Sequence, residues 1–156
     1  MNVLAEVDIV LLASRAVHIA AAIVAVGGAF FARSALLPGL REALDDAGRE
    51  RVHEAVRRRW AKVVHVCIAL LLITGGFNFW RLALEPKISP MPYHPIFGVK
   101  LLAALFIFFA ATALVGTSPG FAGIRAKRAG WLGAVIAAGA LIVILSGVLS
   151  QVRQGG

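Results

Sequence analysis

Apolar residues run almost unbroken from about Val7 to Leu37, interrupted by Arg15, His18 and Arg33 and closed by Pro38-Gly39. Three more runs follow: Val63 to Trp80, Ile96 to Thr117 with Lys100 as its one charge, and Trp131 to Val152 with none. A helix needs about 20 apolar residues to cross the hydrocarbon of a bilayer. The pattern predicts four transmembrane helices, with spans at about 12–37, 60–80, 96–117 and 131–152. Trp60, Trp80, Tyr93 and Trp131 fall at span edges, where an amphipathic ring sits among headgroups. Between the spans, the segment 38–59 is polar and basic. Asp45-Asp46 and Gly48 predict a turn there, followed by a helical extension of the second span with Glu54 and Arg58 on one face. The loop 118–130 is the second basic loop. The loop 81–95 holds PKISPMPYHP, whose four prolines predict an irregular segment.

Composition sharpens this picture. Of 156 residues, 60% are apolar and 15% charged, a balance that excludes an ordinary soluble domain. Four spans use most of the chain, which excludes a large extramembrane catalytic domain. The net charge of +8 belongs to short loops and not to a basic, aromatic-studded surface, so it points to anionic lipid headgroups and not to nucleic acid. The one cysteine, Cys67, lies in an apolar run and reads as a small buried hydrophobe. The N-terminus carries two acids and no base before Arg15, unlike a signal peptide, and is read as mature sequence. Lys and Arg divide eleven to five in favour of the side holding loops 38–59 and 118–130. By the positive-inside rule those loops face the cytoplasm and both termini face outward. The fold class expected is all-α, an integral-membrane antiparallel four-helix bundle, N-out and C-out, in a single domain.

An ionisable group inside a span costs about 2.5–3.5 kcal/mol near the bilayer centre, so each needs a reason. At 100° per residue, Arg15, His18, Ala22, Ala25, Ala29 and Arg33 share one face of helix one, a small and polar face expected to point inward. Leu11, Leu12, Ile23, Phe30 and Leu37 are expected toward lipid. Inward stacks are expected from Ala61, His65, Ala69, Leu72 and Gly76 on helix two, and from Lys100, Ala103, Ala104 and Ala111 on helix three. Helix four is expected to turn Gly133, Ala137, Ala140, Ile144 and Gly147 inward, because small residues let membrane helices approach. His18 and His65 differ by about 20 Å in depth at 1.5 Å per residue, too far to face each other across one iron. On the outer side Arg15, His18, Lys100 and His94 lie at one level. Imidazole with cations suits an iron porphyrin, as axial ligand and propionate partners, or an anionic or quinone head. Alternatively, His18 makes an interhelical hydrogen bond to a backbone or Ser/Thr oxygen. Arg33, Lys62 and His65 form a looser inner set, the cations able to snorkel. His53 is expected to be solvated.

The first run, RAVHIAAAIVAVGGAFFARSALLP, resembles the first helix of the copper resistance D (CopD) and HemJ-like superfamily of small bacterial membrane proteins. RRRWAKVVHVCIALLLITGG is similar to the family's second span, and FGVKLLAAL to its recurrent Val-Lys-Leu, which falls on Lys100. The resemblance covers most of residues 12–115. It implies a multi-pass protein of the bacterial plasma membrane in which His18 and Lys100 handle haem b or a porphyrin. Its CopD side implies copper uptake or tolerance, for which Met91 and His94 would form the outer copper pair. Three functions are therefore expected to compete. The first is a haem-b or porphyrin protein with His18 on the iron, Arg15, Lys100 and His94 beside it, and Arg33 and His65 toward an inner site. The others are a copper-handling protein and a structural subunit of a larger membrane complex. A quinone or a periplasmic electron carrier is the partner the first implies. A homodimer is open to all three.

Overall fold

The computed structural model describes residues 8–83 and 90–154, excepting the side chains of 82–83, 90–94 and 152–154. Every regular element among the described residues is helical. Helix α1 spans Ile9–Phe31, begun by Asp8, whose carboxylate accepts from the Leu11 N–H at 3.0 Å and so caps the free first turn. It continues through a π-helical turn, Ala32–Leu36, into α2, Leu37–Ala43; because the helix is continuous there, Pro38 lacks an N–H that would otherwise pair with the preceding turn, and the π turn lies directly before it. Leu44 is extended and breaks the helix. Asp45 then accepts from Gly48 N at 2.8 Å and opens α3, Asp46–Ala83. Helix α4 spans Pro90–Val115. A 3-10 turn, Pro119–Phe121, and a short α5, Ala122–Ala126, lead to α6, Arg128–Gln154.

Four of these helical stretches are long and apolar enough to cross a membrane: Ile9–Ala43, Asp46–Arg81, Pro95–Val115 and Arg128–Gln151. They exceed the expected spans at most ends. The segment 38–59 is almost wholly helical, broken only at Leu44-Asp45. The PKISPMPYHP segment also differs from expectation, since helix resumes at Pro90. Pro90 and Pro92 occupy the first turn, whose N–H groups have no helical partner in any case, so only Pro95 removes a bond the helix would otherwise make.

Helix α1 packs on α3, α3 on α4, α4 on α6 and α6 on α1, closing a ring. The core is built of small residues and medium aliphatics: Ala29, Ile107, Ala110 and Val135 form its cluster, with Phe106, Trp131 and Ile142 against it. Large apolar side chains face outward all around. Ile9 is 75% exposed, Ile73 69% and Val143 72%. Apolar exposure on this scale is untenable in water and natural in lipid. Cys67 is buried and unpaired, as its setting predicted.

The inward faces differ from several expectations. Helix α1 turns His18, Ala21, Ala25 and Ala29 inward, but Leu11 is half-buried and Leu37 buried, while Arg15 is exposed. On α3 the expected stack of His65, Ala69, Leu72 and Gly76 is exposed. The buried positions are Val64, Cys67 and Thr74, with Leu71 and Asn78 half-buried. On α6 Ala137, Ala140, Ile144 and Gly147 are likewise exposed, and Val135, Gly139, Ile142 and Leu149 face the core. Glycines set the closest approaches. A Cβ at Gly139 would lie 2.8 Å from Val26 Cγ1, and one at Gly28 would fall inside the indole of Trp60.

Candidate functional site

His18 on α1 and Thr74 on α3 meet at 2.8 Å, Nδ1 to Oγ1. Thr74 Oγ1 also donates to the Leu70 carbonyl at 2.6 Å, which uses the only proton the hydroxyl has. Toward His18 the hydroxyl is therefore an acceptor, and the imidazole carries its proton on Nδ1. A neutral ring so fixed leaves Nε2 as a bare lone pair, the state in which histidine binds a metal or takes up a proton. The ring rests against Gly75, where a Cβ would stand 3.2 Å from Cε1. Lys100, half-buried on α4, is close enough for its charge to act on His18.

One turn from His18 sits Ser14, and one turn from Thr74 sits Asn78. Ser14 Oγ and Asn78 Oδ1 are buried without a hydrogen-bond partner among the described residues. A buried polar atom left in that state is costly and marks a place where a ligand or water completes the network. Beyond them Arg81 pairs with Asp8. The α1/α3 joint is thus a polar seam of Asp8, Ser14, His18, Thr74, Asn78 and Arg81.

Of the expected outer set, His18 and Lys100 are both half-buried and Arg15 is exposed. The side chains of Met91 and His94, the expected copper pair, lie outside the described residues. His65 is exposed, its Nδ1 bonded to the Ala61 carbonyl at 2.6 Å one turn back, and it does not join Arg33. Arg33 instead lies across the face of Gly133 and donates to the Ala129 carbonyl, tying the π turn to α6. Thr74, Ser14 and Asn78 were missed. Their signal was the run of hydroxyl and amide residues inside otherwise apolar spans.

At the end holding the two basic segments, a cavity of about 330 Å3 opens among all four long helices. Ala25, Gly28, Ala29 and Ala32 of α1 leave the space, and Trp60, Val64, Ile68, Ile107, Ala111 and Val135 wall it. Its mouth carries Glu50, His53, Glu54, Arg57, Arg125 and Arg128. His53, expected to be solvated, is half-buried there. Arg57 is spent on Glu54, at 2.7 and 2.9 Å, and on the Val115 carbonyl at 2.8 Å. Arg125 braces the turn after α4 through Nη1, to Gly116 O at 3.2 Å and Ser118 O at 2.9 Å. Arg128 reaches Glu50 at 3.5 Å. The mouth of this cavity lies toward the opposite end of the bundle from His18, while its inner end reaches Ala25 and Leu71, the latter one turn from Thr74.

Among the described residues no group of three or more His, Cys, Asp or Glu is placed to share a metal ion. The chemistry at His18 is that of one imidazole ligand with a cation nearby. Such a pair could supply one ligand to a metal and a counter-charge to a carboxylate. Comparison of the chain with protein-family models, with curated proteins and with solved structures finds no match.

Proposed function

We propose that this chain is a multi-pass protein of a bacterial plasma membrane that binds b-type haem, or a related porphyrin, through His18 for membrane redox chemistry. The observation that carries the reading is the Thr74 hydroxyl, which donates to the Leu70 carbonyl and so accepts from His18 Nδ1–H, leaving Nε2 to a ligand. A carbonyl, carboxylate or hydroxyl behind a ligating histidine is the usual device for fixing its tautomer and raising its basicity. Lys100 supplies positive charge for a propionate at the same level. Ser14 and Asn78 offer a hydroxyl and an amide oxygen to a further polar group of the ligand or to water. Bound there, haem would supply one-electron transfer. The chain's own part would be to hold the imidazole by one hydrogen bond and to offer Lys100 as a counter-charge.

The topology belongs to the same proposal. We read the four helices as an antiparallel bundle with both termini outward. Three ties support this: Asp8 at the start of α1 meets Arg81 near the end of α3, Arg57 near the start of α3 meets Val115 at the end of α4, and Arg33 after α1 meets Ala129 at the start of α6. The positive-inside count sets the orientation.

The test is a reduced-minus-oxidised optical spectrum of detergent-purified protein, with iron and copper analysis of the same sample, repeated on His18→Ala. A b-type signal in the parent that disappears from a folded variant is expected. Equal haem content in the two, or a colourless parent without iron, refutes the reading. Copper in that colourless sample would favour metal handling instead.

A further inference from the structure

The cavity at the basic end does not include His18 or Thr74 in its lining, and its chemistry differs from theirs. Its deep walls are apolar, from Val64, Ile68, Leu71, Ile107, Ala111 and Val135, and its mouth is ionic. Three guanidinium groups and two carboxylates line that mouth, leaving one net positive charge beside His53. The charges are not equally engaged. Arg57 uses Nε and both terminal nitrogens on Glu54 and the Val115 carbonyl. Arg125 uses Nη1 alone, and Arg128 is held only by a 3.5 Å pair to Glu50. Among the described residues, the Nε and Nη2 of Arg125 and the Nε and Nη1 of Arg128 make no hydrogen bond. The mouth therefore presents unspent, forked donors of the kind that grip a carboxylate or phosphate.

The volume, about 330 Å3, is at the small end of ligand pockets, enough for one acyl chain and not for two. The open space is a consequence of sequence. Ala25, Gly28, Ala29 and Ala32 stand where larger side chains would close the inner half of the helix ring. Gly28 also lets the Trp60 indole lie flat on α1 and form one wall. Apolar depth, a cationic rim and a position at the level of lipid headgroups together define an amphiphile site.

We propose that the cavity binds a single-chain anionic amphiphile, its acyl chain between the four helices and its carboxylate or phosphate head on Arg125 and Arg128. The chain comes either from a free fatty acid or lysolipid, or from one tail of a bilayer lipid leaning into the protein. Both sources share this recognition chemistry.

Trp60 is the reporter. In a Trp80→Phe/Trp131→Phe background it is the one tryptophan left, and bromine on an acyl chain quenches it on contact. The purified full chain in micelles would be titrated with dibromostearate and with a brominated alkyl trimethylammonium of equal length. A second preparation would be placed in nanodiscs containing dibrominated phosphatidylglycerol. The expected result is saturable quenching by the carboxylate, with affinity about tenfold weaker for the cationic analogue and for Arg128→Gln. Ala111→Leu, which puts bulk into the cavity, should abolish it. Arg128→Gln changes only the rim, so the test stands even where Ala111→Leu fails to fold. Saturation by the nanodisc lipid alone, with the same loss in Arg128→Gln, assigns the occupant to the bilayer and upholds the site. Quenching that rises without saturation, is equal for the two head charges and persists in Arg128→Gln overturns it. None of these readouts depends on haem, so failure here leaves the His18 proposal standing, and the reverse holds too.

Discussion

Replacing Thr74 by Val removes one oxygen at nearly constant volume and tests the central claim about His18. In the parent the hydroxyl donates to Leu70 and accepts from His18, at 2.6 and 2.8 Å. The valine variant deletes both bonds. The Leu70 carbonyl keeps its helical partner, so the bond to His18 is the one whose loss matters. Side-chain hydrogen bonds between membrane helices average about 0.6 kcal/mol and reach about 1.7. Stranding the Nδ1–H in a half-buried site adds toward the upper figure, so about 1 kcal/mol of stability should be lost, roughly a fivefold change in an equilibrium constant. That is too little to unfold the protein. The larger effect is on the imidazole, which is freed to move its proton to Nε2. Nitrogen-15 spectra of histidine-labelled protein distinguish the tautomers, and His18→Gln identifies the signal among four histidines. The parent should show His18 protonated on Nδ1, Thr74→Ser should preserve this, and Thr74→Val should yield a mixture or the Nε2–H form. An Nε2–H ring in the parent, or an unchanged tautomer in Thr74→Val, refutes the reasoning.

Three further outcomes are expected. Gly28→Ala forces a methyl into the Trp60 indole and should lower the melting temperature in detergent by overpacking worth about 1–3 kcal/mol, with Trp60→Leu restoring most of the loss; an unaffected melt contradicts the close approach. His65→Ala should leave both the melt and any pigment as in the parent, since this exposed ring bonds only its own helix, and pigment loss in this variant would move the site to α3's outer face. Asp8 has its carboxyl held below the ordinary range, chiefly by the Leu11 N–H; desolvation opposes this, and the charge of Arg81 and the Val10 N–H add to the lowering. A lowered folded-state pKa means that its stabilising effect is complete above the unfolded value of about 3.9 and disappears as pH falls through the folded value. The melting temperature should therefore drop below about pH 4, and this part of the drop should be missing in Asp8→Asn, which keeps a capping oxygen but cannot titrate.

The spans were legible because their cause is one-dimensional: an apolar run of sufficient length must be a helix if it crosses lipid. The helix faces were legible only where polarity marked them. On α1 His18 and the alanines beside it were read correctly, and the hydrogen bond that holds His18 was among the two roles foreseen for it. On α3 and α6 the stripes of small residues misled. Alanine and glycine occur on both faces of these helices, and lipid is as apolar as a protein core, so burial has no compositional signature. The buried faces are marked instead by Thr74 and Asn78 on α3. On α6 Val135 is buried and Ile142 half-buried although Val143 and Ile144 are exposed. The cavity was unreadable for a related reason. It is an absence of side-chain volume at Ala25, Gly28, Ala29 and Ala32, and which residues stand opposite depends on the rotation of three other helices. The π turn at Ala32–Leu36, which aims Arg33 at Ala129, leaves no trace in the hydrophobic pattern.

The two helix pairs are joined by different physics, and this bears on where function can reside. Helices α4 and α6 meet through Ile107, Ala110 and Val135, with Phe106 stacked on Trp131 at 6.1 Å. Such contacts are dispersion forces and are nearly as good after a small slide. Helices α1 and α3 meet through directional ties, Asp8 to Arg81 and His18 to Thr74, which a slide of one residue would break together. In lipid there is no hydrophobic penalty to oppose that slide, so the polar ties set the register. The orphaned oxygens of Ser14 and Asn78 lie within this same seam, and they would be satisfied only by something the helices do not themselves supply. A group that bridges them would strengthen the joint that also fixes the His18 tautomer. Under the proposal of a ligand at His18, its occupancy and the α1/α3 register would be coupled, and a ligand that stabilises the fold should do so least in Thr74→Val, where the joint has already lost its central tie.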